Sequence, residues 1–243
     1  MSPHLTLATA TRVLHQLRHD HRTIGLVIAL PCVVLGLIAW IFDGTPVLDT
    51  LGPVYVGMFP VVVMFLVTSV ATLRERTSGT LERLMSLPLG KGDFVTGYAL
   101  AFGLLAVVQA LVLVAFTVGV CGMDVAGELW LLIVCAVLSA LLGSALGLGA
   151  SALARTEFQA VQLMPATLFP QLVLCGLVLP RAQLPEVLEA ISRVLPLTYV
   201  VDALAGVAAG TPASELGSEI LLVAGFIVLA VVGGSLTLRR RTP

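Results

Sequence analysis

Charge is scarce in this sequence: Asp, Glu, Lys and Arg make up 11% of its 243 residues, about half the share found in a soluble globular domain. A chain so poor in charge lacks the polar surface that keeps a protein of this size in water. Lysine occurs once, beside twelve arginines, and with so much Ala, Leu and Val the composition suits a GC-rich bacterial genome. Aromatic residues are 6%, too few for the stacking platforms a sugar polymer would need. The cysteines Cys32, Cys121, Cys135 and Cys175 include no CxxC pair and mostly lie in apolar runs, so they read as small hydrophobes rather than a disulfide or metal set. Also missing are HExxH, GxSxG, an aspartate pair within the apolar runs, a Ser/Lys or Cys/His couple at usable spacing, and a phosphate-cradling GxxxxGKS or GxxxxGKT. No catalytic residue, cofactor, metal or nucleic acid partner is therefore expected of this chain.

What fills the chain instead is apolar sequence, 58% of the residues. A membrane-crossing helix needs about 20 mostly apolar residues, because the hydrocarbon core is about 30 Å thick and a helix rises about 1.5 Å per residue. Six segments meet that length, at 24–42, 54–73, 95–120, 129–154, 158–179 and 220–238. They predict an all-α integral membrane protein with a six-span domain over 24–243, and they leave no room for a soluble catalytic domain. The first apolar run is long for a signal peptide and has no A-x-A-like site after it, so it reads as a retained span.

Arginine and lysine in short loops mark the cytoplasmic side. All but Arg181 and Arg193 fall on one side of the predicted spans, whereas Asp43, Asp49, Asp124, Glu128, Glu186 and Glu189 fall on the other. Both termini are thus expected in the cytoplasm of a multi-pass protein of the cell membrane. Residues 1–23 predict an amphipathic interfacial helix, with Leu7, Val13, Leu14 and Leu17 on one face. All four histidines lie there; His15 and His19 have the i, i+4 spacing of a metal pair but no third ligand of suitable spacing. On the outer side, the connection from Pro180 to Glu219 is too apolar for a solvated loop and too broken by proline for a span. It predicts short re-entrant helices, either a lid on an exit path or plain packing.

None of the predicted spans carries Asp, Glu, Lys or Arg in its middle, although a proton- or sodium-driven carrier would need such groups there. The interior polar residues Gln109, Ser139, Ser144, Gln162, Thr167 and Gln171 suit interhelical hydrogen bonds or substrate contacts. Pro165 and Pro170 are expected to kink the fifth span, which makes Gln162, Thr167, Phe169 and Gln171 the candidate substrate route. In the fourth span Ser139, Gly143, Gly147 and Ser151 recur every four residues and leave one face nearly bare, a surface for close helix packing. If such a chain moves anything uphill, another polypeptide must supply the energy.

Between the second and third spans stands LRERTSGTLERLMSLPLGK, residues 73–91. Gly79 breaks the helix, Glu82 can complete a capping arrangement three residues later, and Pro88 ends the two turns from Thr80 to Leu87. The result is a knob with Leu81, Leu84 and Met85 on one side and Glu82 and Arg83 at its edges, either a docking element or a headgroup anchor.

The run RERTSGTLERLMSLPL at 74–89 resembles the signature of type-2 ABC transporter permeases, and LPLTYVVDAL at 195–204, with Pro196, Tyr199 and Asp202, resembles the segment before their last span. The resemblance covers essentially the whole chain. Where family members often carry a basic residue soon after this second motif, the present chain continues AGVAAG. The resemblance implies that the helix between spans two and three is a coupling helix against a separate ATPase, with Arg74, Glu75, Arg76, Gly79, Thr80, Leu81, Glu82, Arg83, Leu84 and Pro88 as its contact set. It further implies two permease chains, as a homodimer, above two ATPase subunits that hold the ATP and Mg²⁺. The expected function is ATP-driven export of a drug-like or lipid-like molecule; the alternative is a non-transporting anchor that docks a partner through 80–87.

Overall fold

The computed structural model describes residues 3–77 and 91–236. Among these the regular structure is helical: α1 Pro3–His19, α2 His21–Ile41, α3 Val47–Thr77, α4 Lys91–Gly119, α5 Leu129–Leu153, α6 Glu157–Leu174, α7 Glu186–Ser192, α8 Pro196–Ala208 and α9 Ala213–Leu236, with a 3-10 turn at Arg181–Gln183. The predicted knob from Thr80 to Leu87, with Gly79 and Pro88, lies outside the described residues.

Among the described residues five helices are long and apolar enough to cross a membrane, in α2, α3, α4, α5 and α9, and the bent pair α7 and α8 makes a sixth candidate if the two count as one span. The predicted fifth span, 158–179, is not among them. It forms α6, an 18-residue helix that ends at Leu174, because Gln159, Gln162 and Gln171 dilute its apolar character and Cys175 closes it by donating its N–H to the Gln171 carbonyl. The predicted outer loop 43–53 is also largely helix. Asp49, in the first turn of α3, suits the positive end of the helix dipole, and its Oδ1 accepts from the Asp124 N–H at 2.8 Å. At 31 residues, α3 runs about 46 Å and outlasts the hydrocarbon core at one end or both.

α3 and α5 form the centre of the bundle, with 61% and 67% of their most apolar stretches buried, against 17% for α2 and 11% for α9. Their contact is backbone to backbone. The stripe of Ser139, Gly143, Gly147 and Ser151 faces α3; a β-carbon at Gly143 would lie 2.3 Å from the Val61 carbonyl oxygen, and one at Gly147 2.4 Å from that of Phe65. One turn earlier, the Ser139 hydroxyl donates to the Gly57 carbonyl, next to the stretch where Pro60 has no N–H to offer Val56. Small residues at this spacing let two helices share dispersion contacts that larger side chains would hold apart.

One proline is answered across the bundle. Pro31 lies inside α2 and cannot donate to the carbonyl four residues back, that of Val27. The buried Gln109 of α4 supplies the donor, its Nε2 lying 2.9 Å from the Val27 oxygen. Polar ties between membrane helices are worth about 0.6 kcal/mol on average and up to about 1.7. Restoring the missing N–H should make the glutamine redundant. Gln109→Leu is expected to cost more stability in the native chain than in a Pro31→Ala background, with a coupling near 1 kcal/mol; equal costs in the two backgrounds, by thermal or denaturant unfolding in detergent, would remove the pairing.

The amphipathic face assigned to residues 1–23 needs correction. Leu7 is exposed, and the buried stripe of α1 is Thr6, Thr9, Ala10, Val13 and Leu17. Small residues win because α1 crosses α4 closely at Gly97, where an added β-carbon would meet Thr9 Cβ at 2.7 Å. α1 stops at Asp20, whose carboxylate accepts from the backbone N–H and hydroxyl of Thr23 and so caps α2.

Candidate functional site: a charged collar at the arginine-rich end

Three consecutive residues at the end of α3 each reach a different part of the bundle. Arg74 holds Glu157, at the start of α6, through two parallel bonds: Nε to Oε1 at 2.8 Å and Nη2 to Oε2 at 3.0 Å. Glu75 Oε1 accepts from α1, from Arg12 Nη1 at 3.2 Å and Gln16 Nε2 at 3.2 Å. Arg12 continues to α4, where its Nη2 lies 2.8 Å from the hydroxyl of the buried Tyr98. Arg76 Nη1 donates at 3.0 Å to the Ser151 carbonyl in the last turn of α5. That oxygen has lost its helical donor, because the Arg155 N–H turns to Gln159 Oε1.

The three ties differ in strength. The Arg74–Glu157 pair is more than half exposed on both sides, so its worth is limited to about 1 kcal/mol or less. Arg74 still holds the Glu157 carboxyl below its usual range, chiefly through the hydrogen bond; that small stabilisation is present above the ordinary carboxylate pKa and fades as pH falls through the lowered one. Arg12 and Glu75 are sheltered, with side chains 30% and 13% exposed. Removing Glu75 takes away the carboxylate partner of Arg12 where water compensates poorly.

These bonds pair residues 59 to 86 positions apart. The resemblance implied Arg74, Glu75 and Arg76 as part of an ATPase contact set; in the structure all three bond to neighbouring helices. Arg12, Gln16, Tyr98 and Glu157 were not foreseen. The i, i+4 spacing of Arg12 and Gln16 was a usable signal, since it places both on one side of α1.

The candidate route residues on α6 do not share one environment. Gln162 and Phe169 are exposed, Thr167 is half-buried, and Gln171 is buried. Gln171 bonds within the fold: its Nε2 donates to the Thr167 carbonyl at 3.0 Å and its Oε1 accepts from Leu197 N at 3.4 Å, at the start of α8. In the segment between α6 and α9, Pro196 is the first residue of α8, and α7 and α8 meet at a bend of 84°. The Tyr199 hydroxyl donates to the Arg193 carbonyl at 2.5 Å and its ring stacks on Phe226. Asp202 pairs with Arg181 at 2.6 Å, and Arg193 pairs with Glu189 at 2.7 Å. The two cations on this side of the fold are therefore both held by carboxylates. His15 and His19 stack at 4.8 Å between centroids on the exposed face of α1, and no group of three or more metal-ligating side chains occurs among the described residues.

A sequence profile of the ABC-2 type transporter family matches residues 4–208. The chain belongs to this family. The ABC-2 chain is similar to "ABC transporter G family member 20" of Dictyostelium discoideum, 26% identical over 197 residues that make up 80% of this chain and 27% of that protein. It is 29% identical over 136 residues to "Inner membrane transport permease YhhJ" of Escherichia coli, covering 56% of this chain and 36% of the relative. With "Probable multidrug ABC transporter permease YbhR" of the same organism it shares 28% over 150 residues, 62% of this chain and 41% of the relative. The matched part thus spans less than half the length of each of these relatives. Family membership and the apolar helices together make this ABC-2 chain a multi-pass membrane protein.

Proposed function

We propose that this permease is the membrane subunit of an ATP-driven exporter, energised by a separate ATPase that engages residues 74–88. The observation that carries the reading is the collar. Arg74, Glu75 and Arg76 stand at the exit of α3 toward that segment and are bonded to α6, to α1 and through it α4, and to α5. A push on the segment would therefore move the whole bundle rather than bend one helix.

In this reading α6 completes six crossings, both termini lie in the cytoplasm, and two copies of the chain, each with an ATPase, enclose the path. The cargo is hydrophobic or amphipathic and leaves the cytoplasm or inner leaflet, because the span interiors offer no ion-binding carboxylate and few sugar-stacking rings. Gln162, Thr167 and Phe169 remain the candidate cargo contacts; the internal bonds of Gln171 make it a brace instead. The relatives described as a multidrug permease and a transport permease support this class.

The test is purification of the tagged chain from its native membranes in mild detergent, with stoichiometry by mass spectrometry. Recovery of an ATPase at one copy per permease, lost when Glu82 and Leu84 are replaced, supports the reading. Recovery of the folded permease with no nucleotide-hydrolysing partner overturns it in favour of an anchor.

A further inference from the structure

A cavity of about 80 Å³ lies inside the bundle, between α3, α4, α5 and α9. Its wall includes Phe102, Ala145 and Leu148, all buried. Four other lining residues, Ala99, Leu141, Ile227 and Val231, are only half-buried and form its rim. Their neighbours along the chain, Leu100 of α4 and Val228 of α9, are exposed. When these helices span a bilayer, a molecule dissolved in the hydrocarbon reaches the rim without entering water.

One polar group of the lining is left over. Thr68 lines the cavity from α3, less than about two turns before Arg74. The residue is 2% exposed, and its hydroxyl has no hydrogen-bond partner among the described residues. The other two hydroxyls of the lining are engaged: Ser144 donates to the Ala140 carbonyl at 3.1 Å, and Tyr98 accepts from Arg12 at 2.8 Å. A buried hydroxyl in this position has given up its bonds to water without a replacement. Water is a poor replacement here, because it needs about two to four polar partners and the rest of the wall is hydrocarbon. The occupant that fits has one hydrogen-bonding atom and an apolar body. An engineered apolar cavity that takes up benzene or xenon measures about 150 Å³, so this smaller one suits a chain of about three or four carbons.

We infer that this cavity binds a short-chain alcohol taken up from the membrane, its hydroxyl on Thr68 and its chain against Phe102, Ala145 and Leu148. The site requires only that α3, α4, α5 and α9 pack as they do, so it stands or falls separately from the exporter reading.

The experiment is photolabelling of the full chain in membrane vesicles with a butanol that carries a diazirine on its chain, followed by peptide mapping. The same diazirine alkane without the hydroxyl, at equal concentration in the membrane, is the comparison probe. The alcohol is expected to label the stretch from Leu141 to Leu148 and the region of Ile227 saturably, in competition with unlabelled butanol, and several-fold more strongly than the alkane does. Thr68→Val keeps the shape of the side chain and removes the hydroxyl; it is expected to be at least as stable as the native chain and to bring the two probes level. Ala145→Phe fills the cavity and is expected to abolish the label, and Thr68→Val keeps the test decisive if that variant does not fold. Labelling that does not saturate and spreads evenly along the exposed faces of α4 and α9, equal labelling of the native chain by the alkane, or a Thr68→Val variant labelled by the alcohol as strongly as the native chain overturns the site.

Discussion

Gly147→Ala is expected to destabilise the protein, whereas Gly149→Ala, two residues along the same helix, is expected to stabilise it. A methyl group removes backbone freedom from the unfolded chain and favours the helix by about 0.5–1 kcal/mol wherever there is room for it. At Gly149 nothing lies within 4 Å of the new carbon; at Gly147 the Phe65 carbonyl oxygen is 2.4 Å away and its Cα 3.1 Å away. Backbone cannot rotate aside as a side chain can, so α3 and α5 must separate along their shared length. Overpacking of this kind costs about 1–3 kcal/mol, or more where rigid elements meet. Thermal unfolding of the two purified variants in one detergent measures both signs. A Gly147→Ala protein as stable as Gly149→Ala would mean that α3 and α5 do not pack this closely.

On the exporter reading proposed above, Glu75→Ala is expected to uncouple the chain from its ATPase. Arg12 and Gln16 then lose their shared acceptor, and the Arg12 charge stays beside Tyr98 with 30% of its side chain exposed. Full burial would make such a loss worth about 3–5 kcal/mol; partial exposure brings the expected cost down to about 1–3 kcal/mol. The double variant Arg12→Ala, Glu75→Ala should cost less than the sum of the single changes, because it leaves no stranded charge. With the ATPase bound in reconstituted vesicles, ATP hydrolysis should persist in Glu75→Ala while cargo movement falls. Both activities falling together, in step with lost protein stability, would make the collar a structural tie without a role in coupling.

Much of the helical layout was legible because it follows from local facts. A run of apolar residues long enough to match the hydrocarbon core must hide its backbone polar groups in a helix, and 24–42, 95–120 and 129–154 come within a few residues of α2, α4 and α5. The recurrence of Ser139, Gly143, Gly147 and Ser151 likewise needed no partner to be noticed. α6 was harder: counting apolar residues from 158 to 179 overlooked how far its glutamines and the stop at Leu174 shorten the membrane-compatible stretch. The start of α3 was misplaced for the opposite reason. Its first turns carry Asp49, Gly52 and Pro53, poor signals for a span, yet Leu48, Gly52 and Pro53 are buried there.

The collar shows where local reading ends. That Arg74, Glu75 and Arg76 mattered could be read from three charges crowded at the end of an apolar run, but their direction could not. Whether a charged side chain meets a partner or faces outward depends on which helices surround it, and bonds across 59 to 86 residues leave no trace in spacing. The same holds for Gln109. A lone amide in an apolar helix suits an interhelical bond or a substrate contact, and only the bundle sets it against the carbonyl that Pro31 leaves without a donor.

By itself the sequence determined that this is a helical membrane protein, since hydropathy belongs to each segment alone. Tertiary structure decided which small stripe meets which backbone, which helix answers Pro31, and which charges join into a collar. Those outcomes depend on helix rotation and crossing, and these are set by side chains of every helix packing at once.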